Sequence, residues 1–101
     1  MATPTFKDSL NRFQEKGFFQ HLQINRGIER ESLRVDQDGS ISQADHPEKL
    51  GSPLTNADIT TDFAEALVEL VTPTFDSAEG LFSHLSSLHH FLYSSMEDEL
   101  L

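Results

Sequence analysis

Residues 24–35 read Ile24-Asn25-Arg26-Gly27-Ile28-Glu29-Arg30-Glu31-Ser32-Leu33-Arg34-Val35, and the alternation within them decides the fold. As an extended strand, Asn25, Gly27, Glu29, Glu31, Leu33 and Val35 share one face, and Ile24, Arg26, Ile28, Arg30, Ser32 and Arg34 share the other. A helix competes for the same residues. Immediately downstream, Asp36-Gln37-Asp38-Gly39 supplies turn chemistry and Ser40-Ile41-Ser42 can return as a short partner strand, so the expectation is a hairpin.

Two carboxylates two residues apart on a strand project side by side, and they repel unless a proton or cation lies between them. A hard divalent ion suits Glu29 and Glu31, because magnesium prefers oxygen donors and often takes one or two protein carboxylates plus phosphates and water. The Glu-x-Glu pattern is weakly specific, and a solvated pair is the commoner outcome. Arg26, Arg30 and Arg34 account for three of the four arginines in the chain. On the opposite strand face they suit phosphate or carboxylate partners, with a solvated, salt-bridged face as the plain alternative.

Upstream, Phe6, Leu10 and Phe13 recur at helical spacing, so residues 5–22 read as an amphipathic helix used for packing, with Gly17 as a stop or bend. Downstream, residues 43–58, with Pro47, Gly51 and Pro53, read as a long loop. Residues 60–72 fit both periods: Phe63, Ala66, Leu67 and Leu70 suit a helix, while Leu67, Glu69 and Val71 alternate as on a strand. The β-branched Val68, Val71 and Thr72, followed by Pro73, favour a strand over residues 66–72. Glu69 is then informative, since a carboxylate in an apolar run must face water or be held by a partner. If it lies on a strand, it shares a face with Leu67 and Val71, and because a carboxylate should turn away from the apolar core, that face is expected to be the one that carries Glu29 and Glu31.

The final element is a helix opened by Asp76 or Ser77 and running to about residue 96, with Leu81, Leu85, Leu88 and Leu92 on one stripe. Glu97, Asp98 and Glu99 would then sit at the negative pole of its dipole, an unfavourable place for anions. That acidic finish reads as the edge of a fragment.

The whole composition narrows the partners. A formal charge of -10, from 17 Asp and Glu against 7 Lys and Arg, repels phosphate backbones and anionic membranes. Neither nucleic acid nor membrane is expected as a partner. The chain has no cysteine, and it contains no apolar run or leader of the kind that spans or crosses a membrane, so a cytoplasmic protein is expected. His84, His89 and His90 lack the i, i+4 pairing of helical zinc sites, and no nucleophile stands at a recognisable spacing from a base.

Three blocks carry more. They are Arg26-Gly27-Ile28-Glu29-Arg30-Glu31-Ser32-Leu33-Arg34-Val35; His46-Pro47-Glu48-Lys49-Leu50-Gly51-Ser52; and Ile59-Thr60-Thr61-Asp62-Phe63-Ala64-Glu65-Ala66-Leu67-Val68-Glu69-Leu70-Val71-Thr72-Pro73. In this order and spacing the chain resembles the start of glutamate-cysteine ligases of the gamma-proteobacterial type. The resemblance implies an α+β fold: part of a glutamine-synthetase-like antiparallel sheet with flanking helices, residues 1–101 being the amino-terminal portion of one catalytic domain. It implies an ATP-dependent ligase that joins the γ-carboxylate of L-glutamate to the amine of L-cysteine through a γ-glutamyl phosphate, the first step of glutathione biosynthesis, with Mg2+ as cofactor.

By the same resemblance Glu29, Glu31 and Glu69 match metal-binding carboxylates, and Asp62 and Phe63 match positions at the amino-acid substrates. Arg30 and Arg34 match family arginines without an assigned contact. Family members are several times longer and continue with Trp-Pro where this chain stops, so the expected partner is the remaining carboxy-terminal part of the ligase, and the chain alone is expected to be inactive. The alternative from a different class is a truncated, non-catalytic interaction module built on the same fold.

Overall fold

The computed structural model describes residues 2–101. Three strands pair antiparallel, β1 (Glu29–Leu33), β2 (Ile59–Thr61) and β3 (Leu67–Val71), in the spatial order β1-β3-β2. The strand reading of residues 66–72 holds, and β3 is the central strand. Its alternation divides the sheet: Val68 and Leu70 are buried with Ile59, while Leu67, Glu69 and Val71 line the other, half-exposed face.

The apolar face is covered by a helix, α2 (Ala78–Ser95), and Leu88 and Leu92 join Ile59, Val68, Leu70, Leu50 and Met96 in one core, with Leu85 packed against it. Leu92 is 0% exposed, and each such aliphatic side chain contributes roughly 1.5–3 kcal/mol by leaving water. Of the two candidate caps the structure uses Ser77, whose hydroxyl accepts the Gly80 N–H at 3.1 Å.

β1 is shorter than its sequence pattern. Upstream of Glu29 the pairing becomes irregular: the Thr72 amide still donates to the Ile28 carbonyl at 3.0 Å, but the Ile28 amide donates to Thr72 Oγ1 at 2.9 Å, and a full exchange of backbone bonds returns where Arg26 and Phe75 bond both ways at 2.9 Å. Pro73 lies between and has no N–H to give, which interrupts the ladder. Gly27 fits the gap, since a Cβ there would come within 3.4 Å of the Pro73 carbonyl oxygen.

The expected hairpin after Val35 forms its turn, with Gly39 at φ 85°, but the returning strand reduces to a single bridge between Val35 and Ile41. That bridge is flanked by the Asp36 amide on the Ser40 carbonyl at 2.8 Å and the Ser42 amide on the Arg34 carbonyl at 2.9 Å, and on its other edge Val35 exchanges its amide and carbonyl with Leu100, both at 2.8 Å. That long-range partner also changes where the acidic residues at the end of the chain lie relative to the helix dipole. The helix ends at Ser95, Met96 is extended, and residues 97–101 turn back onto β1, so Glu99 meets Arg34 instead of sitting at the dipole. Arg34 departs from the solvated alternative as well, being 0% exposed.

The amino-terminal helix, α1 (Phe6–Glu15), is shorter than residues 5–22. It opens with a reciprocal Thr5–Asp8 capping box, and Gly17 at φ 66° turns the chain into a 3-10 turn at Phe18–Gln20. Its stripe does not join the core: no residue of α1 is buried, and Phe6 is 82% exposed. Phe13 instead packs on Phe18, with ring centroids 5.1 Å apart. The molecule is accordingly elongated at 62 × 27 × 25 Å, with a radius of gyration of 20.4 Å where a compact chain of this length has about 13 Å.

The long segment at residues 43–58 is pinned. A 3-10 turn at Glu48–Leu50 sends Leu50 into the core, and Asn56 accepts the amides of Asp58 and Ile59 while donating to the Leu50 carbonyl.

Candidate metal centre

On the uncovered face of the sheet, Glu31 stands directly opposite Glu69, and Thr60 stands opposite Glu69 on its other side. Asp62 follows β2 by one residue, where the chain leaves the sheet. Carboxylate oxygens of Glu31, Asp62 and Glu69 lie within 4.8 Å of one another. The expectation that Glu69 shares a face with Glu29 and Glu31 is met by this register. Glu29 stands opposite Val71, one step along the same face, and lies outside the closest trio.

The electrostatics follow from the crowding. Partial desolvation raises the Glu69 carboxyl above the ordinary carboxylate range, and the charges of Glu29, Asp62 and Glu31 push it further in the same direction. A proton or a cation would relieve that repulsion. The donors are all oxygens, and at about 2.1 Å per ligand opposed oxygens around magnesium lie about 4.2 Å apart, close to the spread of the trio. The three side chains therefore fit a hard divalent ion.

The other sequence candidates lie elsewhere. Phe63, beside Asp62, is 95% exposed. Arg30 reaches over the helix-covered side, where Nη1 lies 3.0 Å from Nδ1 of His89, and burial followed by the Arg30 charge lowers the pKa of that imidazole. Arg26 donates to its neighbour's carbonyl, that of Ile24, at 3.1 Å. His84 Nε2 lies 3.7 Å from the Asp58 carboxylate. Among the described residues, the trio is the one group of three or more potential ligands that converges. An open groove of about 700 Å³ runs along the outer side of α2 past Phe82, His90 and Phe91, away from these carboxylates.

The family resemblance placed Asp62 with the substrates, and pattern reading did not group it with Glu31 and Glu69. The signal was the Thr60–Glu69 register, which becomes visible only once β2 and β3 are paired. Among the described residues no helix is long and apolar enough to cross a membrane.

A three-stranded antiparallel sheet packed on one side by a helix, with converging carboxylates on its open face, defines the class as an α+β fold. The family model for glutamate-cysteine ligase matches residues 10–101, and the chain belongs to that family. It is 50% identical over 78 residues to the glutamate-cysteine ligase of Saccharophagus degradans and 53% identical over 78 residues to that of Pseudoalteromonas translucida. In each case the match covers 77% of this chain and 15% of the relative, so the chain spans a small part of the length of the proteins it resembles.

Among solved structures, the glutamate-cysteine ligase of Francisella tularensis in complex with AMP superposes with a TM-score of 0.74 at 43% identity, over 78% of this chain and 16% of that one. A bifunctional glutathione synthetase from Pasteurella multocida gives 0.79 at 36% identity, over 86% of this chain and 12% of that one.

Proposed function

We propose that this chain supplies the cation-holding face of a glutamate-cysteine ligase site, where ATP drives the joining of the L-glutamate γ-carboxylate to the amine of L-cysteine. The observation that carries the reading is the convergence of Glu31, Asp62 and Glu69 within 4.8 Å on the open side of a sheet whose other side is packed. Glu31 and Glu69 hold a magnesium ion, with Asp62 completing the set and Glu29 adding charge from one step along the face. Bound there, magnesium would offset the negative charge of ATP phosphates during phosphoryl transfer. Asp62 and the exposed Phe63 form the edge nearest the amino-acid substrates. The chain presents this face uncovered, and the remaining ligase sequence closes it.

The test is a chimera in which these residues replace the matching segment of the Saccharophagus degradans ligase. Ligation measured as phosphate release dependent on both amino acids should persist with the unaltered segment, and Glu31→Gln or Glu69→Gln should lower it by about a hundredfold or more. Glu15→Gln on α1 is the reference. Glu65 has no ligand role but is a poorer control, because its carboxylate accepts the His46 amide at 3.0 Å. Equal activity in all variants at saturating magnesium rejects the reading.

A second reading, an interaction module without catalysis, draws on the two unpaired sheet edges at β1 and β2. It predicts concentration-dependent self-association of the isolated chain and no activity in the chimera.

A further inference from the structure

Arg34 lies outside the acidic trio, yet its hydrogen bonds reach the loop that carries Asp62. Its side chain is fully buried at the end of β1, where Nη1 meets the Glu99 carboxylate and Nη2 donates to the carbonyls of Ala44 at 3.0 Å and Glu65 at 3.1 Å. Its backbone amide donates to the Ala66 carbonyl at 2.8 Å. Two of these four bonds end on adjacent residues of the connection between β2 and β3. The same connection is held from another side by the His46 amide on the Glu65 carboxylate, and the Leu67 amide closes onto the Ala64 carbonyl at 3.0 Å. Asp62 lies between the end of β2 and this pinned turn, and Glu69 follows two residues into β3.

We propose that Arg34, held by Glu99, is a positioning residue for the carboxylate trio: it fixes the 62–66 connection so that Asp62 meets Glu31 and Glu69. The role rests on the cation-binding reading above. The residue type follows from the geometry, because only a planar fork of donors satisfies a carboxylate and two carbonyls arriving from different directions, and a lysine ammonium would serve them poorly. Glu99 is needed because an unpaired buried guanidinium is not tolerated. Stability alone does not account for the pair, since well-packed apolar substitutes for buried ion pairs are often as stable or more so. A conformational task explains what stability does not. The pairing also ties residues 97–101, distant in sequence, to the geometry of the open face.

The experiment uses the 101-residue chain, with free Mn2+ measured by electron paramagnetic resonance and amide exchange by NMR. Two variants remove the fork differently: Arg34→Lys keeps the charge, while the double change Arg34→Met with Glu99→Leu removes the pair without stranding either partner. In each, with core amides of α2 still protected, Mn2+ affinity should fall about tenfold, at the lower end of the usual loss when an outer partner of a metal ligand is removed. The Leu67 amide should exchange faster.

Coupling is reciprocal, so in the unaltered chain saturating Mg2+ should slow exchange of the Leu67 amide and of the Arg34 guanidinium protons. This last measurement needs no variant to fold. Folded variants that bind Mn2+ like the unaltered chain, or no slowing by Mg2+, overturn the positioning role and leave the cation site standing. An unaltered chain that binds Mn2+ no better than an Asp62→Asn, Glu69→Gln double variant overturns both.

Discussion

Glu31 and Glu69 face each other across the β1–β3 ladder with carboxylate oxygens no more than 4.8 Å apart, a like-charge pair where strand neighbours usually attract. Such a contact costs stability in the absence of a cation, and the cost can be read as a pH dependence. Glu69 takes up its proton more readily folded than unfolded, because its folded-state pKa is raised above 4.5. The destabilisation is therefore fully present above that raised value and disappears as pH falls through it toward 4.5. Glu69→Gln should melt higher than the unaltered chain at neutral pH without divalent ions, and the gap should close on acidification. Comparing the two proteins by circular dichroism removes the contribution of His46, whose pKa is lowered by burial and by Arg34. A gap that stays constant with pH, or an unaltered chain that melts higher, would show that Glu69 carries no such penalty.

The core predicts a sharp contrast along one helix. Leu92→Ala, at a fully buried position, should cost about 2–5 kcal/mol, whereas Phe82→Ala on the outer side of α2 should stay within about 0.5 kcal/mol. Urea titration measures both. A loss at Phe82 comparable to that at Leu92 would mean that the outer groove is covered in solution.

Gly51 follows the turn that buries Leu50 and has φ 74° with ψ -168°, a backbone region open to glycine and almost no other residue. Gly51→Ala should cost about 1–3 kcal/mol although nothing crowds the position. Unchanged stability in a urea melt would mean that the turn relaxes to an ordinary conformation.

The isolated chain should release no phosphate from ATP in a manner dependent on glutamate and cysteine. Its carboxylate face is open, with Phe63 almost wholly in water, and exclusion of water is part of how such sites strengthen their electrostatics. Turnover by the purified chain that requires both amino acids would contradict this.

The sequence carried the elements whose signal is local. Ser77, the leucine stripe of α2 and the β-branched run before Pro73 each encode their own structure, and the period-two patterns put Glu29 with Glu31 on β1 and Glu69 with Leu67 and Val71 on β3, while it was the family resemblance that joined the two sets. Partners remote in the chain were hidden. Leu100 pairs with the edge of Val35 opposite Ile41, a partner that nothing local announces, and the pairing of Arg34 with Glu99 turned an apparently solvated arginine into a buried one. Asp62 joined the trio only through the register of β2, a strand too short to announce itself. The stripe of α1 is legible as a helix, but periodicity cannot tell whether anything lies against it.

The alternation of β3 has a consequence for how this segment tolerates change. Five consecutive residues answer to two unrelated demands, volume at Val68 and Leu70 and charge at Glu69, so a scan of all substitutions should rise and fall with a period of two. Losing one residue from the connection before Leu67 would exchange the two sets, sending carboxylate inward and aliphatic carbon outward in a single event. Gradual drift can therefore adjust either demand separately, while a shift in spacing ends both together.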